Sequence, residues 1–105
     1  MKTRVLITAC AAGLLGTVST SAQDVAAGEE VYQKVCRNCH GPKAQGMASF
    51  PKLAGNTIQY NAMRLKQYRA GERVGPNTPL MAPRAADLSD EDIANVAAYI
   101  GTAFK

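Results

Sequence analysis

The sequence predicts an all-α domain of three main helices joined by long loops. Three stretches carry apolar residues at the three- and four-residue spacing of an amphipathic helix, and they begin near residues 25, 57 and 89. Glycines and prolines fill the segments between them, residues 41–55 and 75–83. No stretch alternates polar and apolar residues as a half-buried strand does.

The first helix is expected over residues 25–37, directly after Asp24, which can cap its N-terminus. Apolar and small residues recur on one face of this helix: Val25, Gly28, Val31, Tyr32 and Val35. The second helix is capped by Asn56 or Thr57 and ends near Ala70 and Gly71.

The last helix has the clearest start. Ser89 is its N-cap and Asp92 completes a capping-box-like pair, with Leu88 placed to pack on Ile93. The buried stripe expected on this helix consists of Ile93, Val96, Ala97 and Ile100, with Tyr99 beside it. Before this helix, three prolines between Gly75 and Pro83 are expected to hold residues 80–82 extended.

The amino terminus is typical of an export signal. Lys2 and Arg4 precede an apolar stretch from Val5 to Val18, and small residues follow up to Ala22, after which we expect cleavage. The apolar stretch is shorter than the roughly 20 residues that a membrane span requires. The expected organisation is therefore a signal peptide, residues 1–22, and one domain, residues 23–105, that works in the periplasm without a stable membrane span.

The remaining domain is small and weakly basic. A chain this short buries little core, and natural proteins of this size usually add disulfides, a metal or another bound group. Cleavage would leave ten basic and eight acidic residues, and between Lys34 and Arg84 the only acidic residue is Glu72. The bound group that such a chain needs is indicated by its cysteines.

Cys36, Cys39 and His40 form a Cys-x-x-Cys-His motif, the attachment signature for c-type haem. Two thiols at this spacing reach the two vinyl groups of one porphyrin and form thioethers. The adjacent imidazole can then take one axial position on the iron. We expect one haem c, held by these three residues.

Other uses of two cysteines fit less well. Structural zinc needs four ligands, and residues 23–105 contain no Cys or His besides these three. A thiol oxidoreductase would place its pair near a βαβ pattern, which is absent from the sequence. A structural disulfide suits an exported protein but does not call for the histidine.

A sixth ligand for the iron is expected from a methionine. Met63 lies inside the second helix, where methionine usually fills core space. Met47 follows His40 by only seven residues, whereas Met81 lies 41 residues beyond His40, with ample chain to reach the opposite face. We expect Met81 to be the axial partner of His40.

These segments resemble the class I c-type cytochromes, in the small soluble bacterial branch. The stretches that carry the resemblance are VCRNCHGPKAQG, FPKLAGN, the helix from Tyr60 to Gly71, PLMAP and LSDEDIANVAAYI. The resemblance implies a cytochrome c fold with loops wrapped around the haem and a close crossing of the first and last helices, Gly28 against Tyr99. It also implies that the carbonyl of Pro51 accepts a hydrogen bond from His40 and so orients the imidazole.

Tyr60 and Arg64, one helical turn apart, are candidate contacts for the haem propionates, and Arg73 is an equal candidate. With both axial sites filled, catalysis at the iron is suppressed, and a single-electron carrier between redox proteins is the expected function. The basic middle of the chain fits partners with acidic docking surfaces. Nucleic-acid binding is not expected, because the associated motifs are absent.

Two alternatives to a free carrier remain open. The chain can be the haem c subunit of a larger dehydrogenase or reductase. It can also be a ligand-binding or peroxidase-like haem protein with an open distal site. The sequence leaves the oligomeric state undetermined.

Overall fold

The computed structural model describes residues 23–105, so the expected signal peptide, residues 1–22, and its cleavage after Ala22 lie outside the described residues. Within residues 23–105 the structure is helical, and its one β-type contact is an isolated bridge between Met47 and Phe50. The helices are α1 Val25–Val31, a π-helical turn Tyr32–Cys36, α2 Arg37–His40, α3 Ile58–Arg69, α4 Thr78–Ala86 and α5 Asp90–Ala103.

The first helical segment runs without a break through α1, the π-helical turn and α2. Asp24 caps it as predicted, since its carboxylate accepts a hydrogen bond of 3.0 Å from the backbone N–H of Ala27. The segment extends three residues beyond the expected end at residue 37 and stops at His40. Gly41 ends it with a φ of 90°, a left-handed conformation that favours glycine.

The caps predicted for the other two main helices are also present. Thr57 caps α3 through a hydrogen bond from the N–H of Tyr60. Ser89 and Asp92 form a reciprocal capping box at the start of α5, with distances of 3.0 and 3.1 Å. The predicted stripe on α5 is buried, because Ile93, Val96, Ala97, Tyr99 and Ile100 are all at most 9% exposed.

The prediction of an extended segment at residues 80–82 is wrong, because these residues lie within α4. Pro79 occupies one of the first two helical positions, where a missing N–H costs no hydrogen bond. Pro83 lies further in and has no N–H to donate to the helix, yet α4 continues through it to Ala86. The hydroxyl of Thr78 accepts hydrogen bonds of 2.9 and 3.0 Å from the N–H groups of Val74 and Gly75, which stabilises the start of the helix.

The first segment crosses α5 at very close range. A Cβ added to Gly28 would lie 2.0 Å from the backbone oxygen of Asn95 and 3.0 Å from Cβ of Tyr99. The crossing at Gly28 is therefore present, but the backbone of Asn95 is nearer than Tyr99. Asn95 also accepts a hydrogen bond of 2.8 Å from the N–H of Asp24, which ties the chain entering α1 to the same helix.

An aromatic cluster of Tyr32, Tyr99 and Phe104 packs beside this crossing, with ring centroids 5.4 to 5.6 Å apart. Tyr32 is fully buried, and its hydroxyl donates a hydrogen bond to the carbonyl of Gly41. Burial is the main cause that raises the pKa of Tyr32 to about 12, so the hydroxyl keeps its proton at neutral pH. This contact joins the helical core to the residue that follows His40.

No helix within residues 23–105 combines the length and the apolar character that a bilayer-spanning segment needs.

Candidate cofactor site

The end of the first helical segment brings Cys36, Cys39 and His40 to the wall of one cavity of about 350 Å³. Neither cysteine forms a disulfide. Helices α3, α4 and α5 and the loop before α3 supply the other walls, which are largely apolar side chains such as Leu53, Leu65 and Ile100. The motif is therefore presented to an interior space of the size that proteins use for cofactors.

His40 is held in one orientation. The side chain is 4% exposed, and its Nδ1 lies 2.8 Å from the carbonyl oxygen of Pro51, the hydrogen bond that the resemblance implied. Because a carbonyl can only accept, Nδ1 is the donor in this contact, which leaves Nε2 of the neutral imidazole with its lone pair. An imidazole in this tautomer can bind a metal through Nε2.

The loop from Gly41 to Thr57 is fixed by its own backbone. The carbonyl of His40 accepts a hydrogen bond of 2.8 Å from Gly46, and the carbonyl of Ala44 accepts bonds of 2.9 and 3.1 Å from Leu53 and Ala54. These bonds place Pro51 against the imidazole although eleven residues separate the two in sequence. A loop without regular structure thus orients the histidine.

The methionines differ sharply in position. Met81 on α4 lines the cavity and packs against the hydrophobic core. Met47 and Met63 are each 46% exposed and are absent from the cavity wall. Among residues 23–105, Met81 is thus the one thioether in a position to face the same space as His40.

The three candidate propionate contacts separate into two groups. Tyr60 and Arg64 line the cavity and contact each other, with Arg64 Nε 3.2 Å from the Tyr60 hydroxyl and its guanidinium 5.3 Å from the centre of the ring. The hydrogen bond that Arg64 donates to the Tyr60 hydroxyl is the first cause that raises the pKa of Arg64, and this side chain is positively charged. Arg73 is exposed and does not line the cavity.

Asn61 is a cavity residue that the sequence analysis missed. It lies on α3, is 4% exposed, and lines the cavity beside Leu65. A signal was available, because Asn61 precedes the apolar Leu65 by four residues and so lies on the same face of α3. Its side-chain nitrogen is the one buried donor without a hydrogen-bond partner among the described residues.

The thiol of Cys36 does not suit redox exchange in this setting. Burial, and next the neighbouring Cys39, raise the pKa of Cys36 to about 12. Thiol exchange proceeds through the thiolate and therefore uses cysteines of lowered pKa. In the described part of the chain, no three His, Cys, Asp or Glu side chains come together as a metal site.

The residues that line the cavity fit a haem. Two unpaired thiols, an oriented imidazole and a thioether surround an apolar cavity, and a buried amide donor lacks an acceptor. A flat apolar ring with two vinyl groups and a central iron would satisfy the thiols, the imidazole and the sulfur together.

This fold and this site define a haem-binding domain of the c type. The Cytochrome c family model matches residues 25–104, and the chain belongs to this family.

Relatives and a solved structure agree with this assignment. The chain is 42% identical over 89 residues to cytochrome c-554(547) of Halothiobacillus neapolitanus, an alignment that covers 77% of this chain and 98% of that protein. It is 48% identical over 79 residues to cytochrome c-554(548) of Halomonas halodenitrificans, covering 74% and 94%. The crystal structure of reduced cytochrome c4 from Pseudomonas stutzeri superposes with a TM-score of 0.66 at 33% identity, over 73% of this chain and 46% of that one. The fold is therefore the cytochrome c fold.

Proposed function

We propose that this chain is a periplasmic single-electron carrier with one low-spin haem c, ligated by His40 and Met81. The observation that carries the proposal is that Cys36, Cys39, His40 and Met81 all line one apolar cavity, whereas Met47 and Met63 do not. The two thiols would hold the ring covalently, and the imidazole and the thioether would bind the iron.

The bound haem would supply a one-electron couple between ferric and ferrous iron. The chain's residues would set its properties. The bond from His40 to Pro51 keeps the imidazole basic and correctly oriented. A thioether ligand favours the ferrous state and raises the reduction potential, and the apolar wall keeps water from the iron.

Two protein ligands would leave no open position at the iron, which is why we propose a carrier and not an enzyme. Electrons would then pass through the haem edge at the cavity rim. The same logic disfavours a ligand-binding or peroxidase-like protein, which needs a vacant distal position.

The two cytochromes c-554 favour a free carrier over a subunit of a larger enzyme. The chain covers 98% and 94% of their length, and their names are those of cytochromes and not of enzyme subunits. The haem subunit of a dehydrogenase or reductase remains the second candidate, and it would differ in having a permanent partner. Size-exclusion chromatography of native extract separates the two.

Redox partners are proposed to dock at the cavity rim. Tyr60 and Leu80, which are 41% and 55% exposed, form an apolar part of this rim, and Arg64 and Arg84 lie among the lining residues. An apolar patch with basic neighbours suits brief contacts with an acidic partner surface. Association rates should then fall as ionic strength rises.

Optical spectroscopy of the purified holoprotein tests the ligand set. Ferric wild type should show a low-spin spectrum with the weak red absorption band that marks coordination by methionine sulfur. Met81→Ala should abolish the band and lower the reduction potential, while the matched controls Met47→Ala and Met63→Ala should retain both. A colourless wild-type protein from a host competent in cytochrome maturation would refute the proposal. The mass of the exported chain tests whether it begins at Gln23.

A further inference from the structure

The buried side chain of Asn61 has a donor with nothing to bind. Its Nδ2 has no hydrogen-bond partner among the described residues, and the whole residue is 4% exposed. Buried amide groups in proteins nearly always have a partner, because an unpaired one loses its bonds to water without replacement. Since Asn61 lines the cavity, its partner should belong to whatever completes that cavity.

The bound haem would offer two propionate carboxylates as acceptors, since its ring nitrogens are occupied by iron. Met81, which lines the same cavity from α4, offers its sulfur as a further acceptor. The position of Asn61 on α3 distinguishes between the carboxylates and the sulfur.

The cavity-facing side of α3 has an exposed polar edge and a buried edge. The exposed Tyr60 and the half-buried Arg64 form the outer edge, and the cationic Arg64 is the natural neighbour of a carboxylate. Asn61 and Leu65 form the buried edge, at 4% and 8% exposure. A charged propionate would pay a large desolvation cost beside Asn61 but little at the rim. The neutral sulfur suits the buried position.

We propose that Asn61 is a positioning residue for the sixth ligand, donating a hydrogen bond from Nδ2 to the sulfur of Met81. This inference rests on the proposed function, in which Met81 binds the iron. The hydrogen bond holds the sulfur on the iron and draws electron density from it. Because weaker donation destabilises ferric iron more than ferrous iron, Asn61 raises the reduction potential.

Imidazole titration of the ferric holoprotein tests this role, because imidazole competes with Met81 for the iron. Asn61→Leu keeps the size of the side chain but removes the donor. This variant should bind imidazole about three- to tenfold more tightly than wild type, the range expected for loss of one hydrogen bond. Its reduction potential should be lower. Gln59→Leu removes an exposed amide from the same helix, outside the cavity, and should match wild type in both measurements.

The outcomes separate this inference from the proposed function. A wild-type spectrum without the methionine band refutes Met81 as the ligand. A normal band with unchanged imidazole affinity and potential in Asn61→Leu refutes the role of Asn61 alone. A crystal structure of the wild-type holoprotein gives a test that does not depend on any variant folding. Nδ2 within hydrogen-bonding distance of the Met81 sulfur supports the inference, and Nδ2 bonded to a propionate or to a water molecule overturns it.

Discussion

The Nδ1 atom of His40 lies 2.8 Å from the carbonyl oxygen of Pro51. This contact joins the last residue of a helix to the middle of an irregular loop. The acceptor is a backbone atom, so no substitution removes it directly. What a substitution at Pro51 can change is how rigidly the loop presents the carbonyl.

Pro51→Gly should loosen this presentation, because glycine at this position has a far larger range of φ and ψ. A weaker hydrogen bond makes the imidazole a poorer donor to iron, so the reduction potential of the holoprotein should rise. The Nδ1 proton should also exchange faster with solvent, as measured by NMR of the ferrous protein. Stability should fall by about 0.4–1 kcal/mol or somewhat more.

The control for this experiment is Pro42→Gly, in the same loop and exposed to solvent. Pro42→Gly should give the unfolded chain a similar gain in backbone entropy. It should leave the reduction potential and the exchange rate of the Nδ1 proton of His40 as in wild type. Equal potentials in both variants would show that Pro51 does not orient the histidine.

Gly28→Ala should destabilise the crossing of α1 and α5. The added methyl group would lie 2.0 Å from the backbone oxygen of Asn95, so the helices must separate. Overpacking of this kind usually costs about 1–3 kcal/mol, which corresponds to a fall in Tm of roughly 4–20 °C in a domain of this size. The fall in Tm is measured by thermal unfolding of the holoprotein, monitored by circular dichroism.

Gly75→Ala is the matched control, because an added Cβ at Gly75 meets nothing within 4 Å. Its Tm should stay close to that of wild type. A Gly28→Ala protein as stable as Gly75→Ala would mean that the helices do not cross as closely as described.

The features that the sequence predicts correctly are local ones. Asp24, Thr57 and Ser89 cap helices because a short side chain bonds a backbone N–H three residues further along, and that geometry needs no tertiary information. The stripe on α5 follows from helical spacing in the same way. The Cys-x-x-Cys-His motif is equally local, since a single helix end carries all of its residues.

The features that were missed depend on the rest of the fold. Helix α4 was overlooked because three prolines argue locally against a helix, although Pro79 lies where no N–H bond is required. The π-helical turn at Tyr32–Cys36 adds a residue to one turn, which apolar periodicity does not reveal. The orphaned amide of Asn61 is apparent only once α3 and the cavity are placed together.

Tyr32→Phe should weaken the link between the helical core and the cofactor loop. The substitution removes a fully buried hydroxyl that donates to the carbonyl of Gly41, while the ring stays in the aromatic cluster. The carbonyl of Gly41 keeps its other hydrogen bond, which it accepts from the N–H of Ala44 at 3.2 Å. We therefore expect a loss of about 0.5–1.5 kcal/mol, measured by urea unfolding at pH 7.

Tyr99→Phe serves as the comparison for Tyr32→Phe, because it removes a hydroxyl from the same cluster without touching Gly41. Tyr99→Phe should lower the free energy of unfolding by less than Tyr32→Phe does. If the two variants lose equal stability, the hydroxyl of Tyr32 contributes nothing specific to the loop.

The ion pair between Arg69 and Asp90 should make stability depend on pH in acid. Arg69 Nη2 lies 2.6 Å from Asp90 Oδ1, and Arg69 Nη1 donates a 3.1 Å bond to the carbonyl of Leu88, so one guanidinium joins α3 to the start of α5. The hydrogen bond from Arg69, and next its charge, lower the pKa of Asp90 from its usual 3.8. The folded state thus binds this proton more weakly than the unfolded state does.

A lowered pKa stabilises the fold above about pH 3.8, and the contribution disappears as the pH falls through the pKa of the folded state. Asp90→Asn should therefore be less stable than wild type at pH 6, with a difference that shrinks in high salt and vanishes in strong acid. Glu91→Gln, in the same first turn and without an ion pair among the described residues, controls for the loss of a charge near the helix N-terminus. Urea unfolding between pH 2 and pH 7 at about 0.05 and 0.5 M salt measures both variants. A difference between Asp90→Asn and Glu91→Gln that does not change with pH would show that Arg69 holds α5 through the carbonyl of Leu88 and not through the carboxylate.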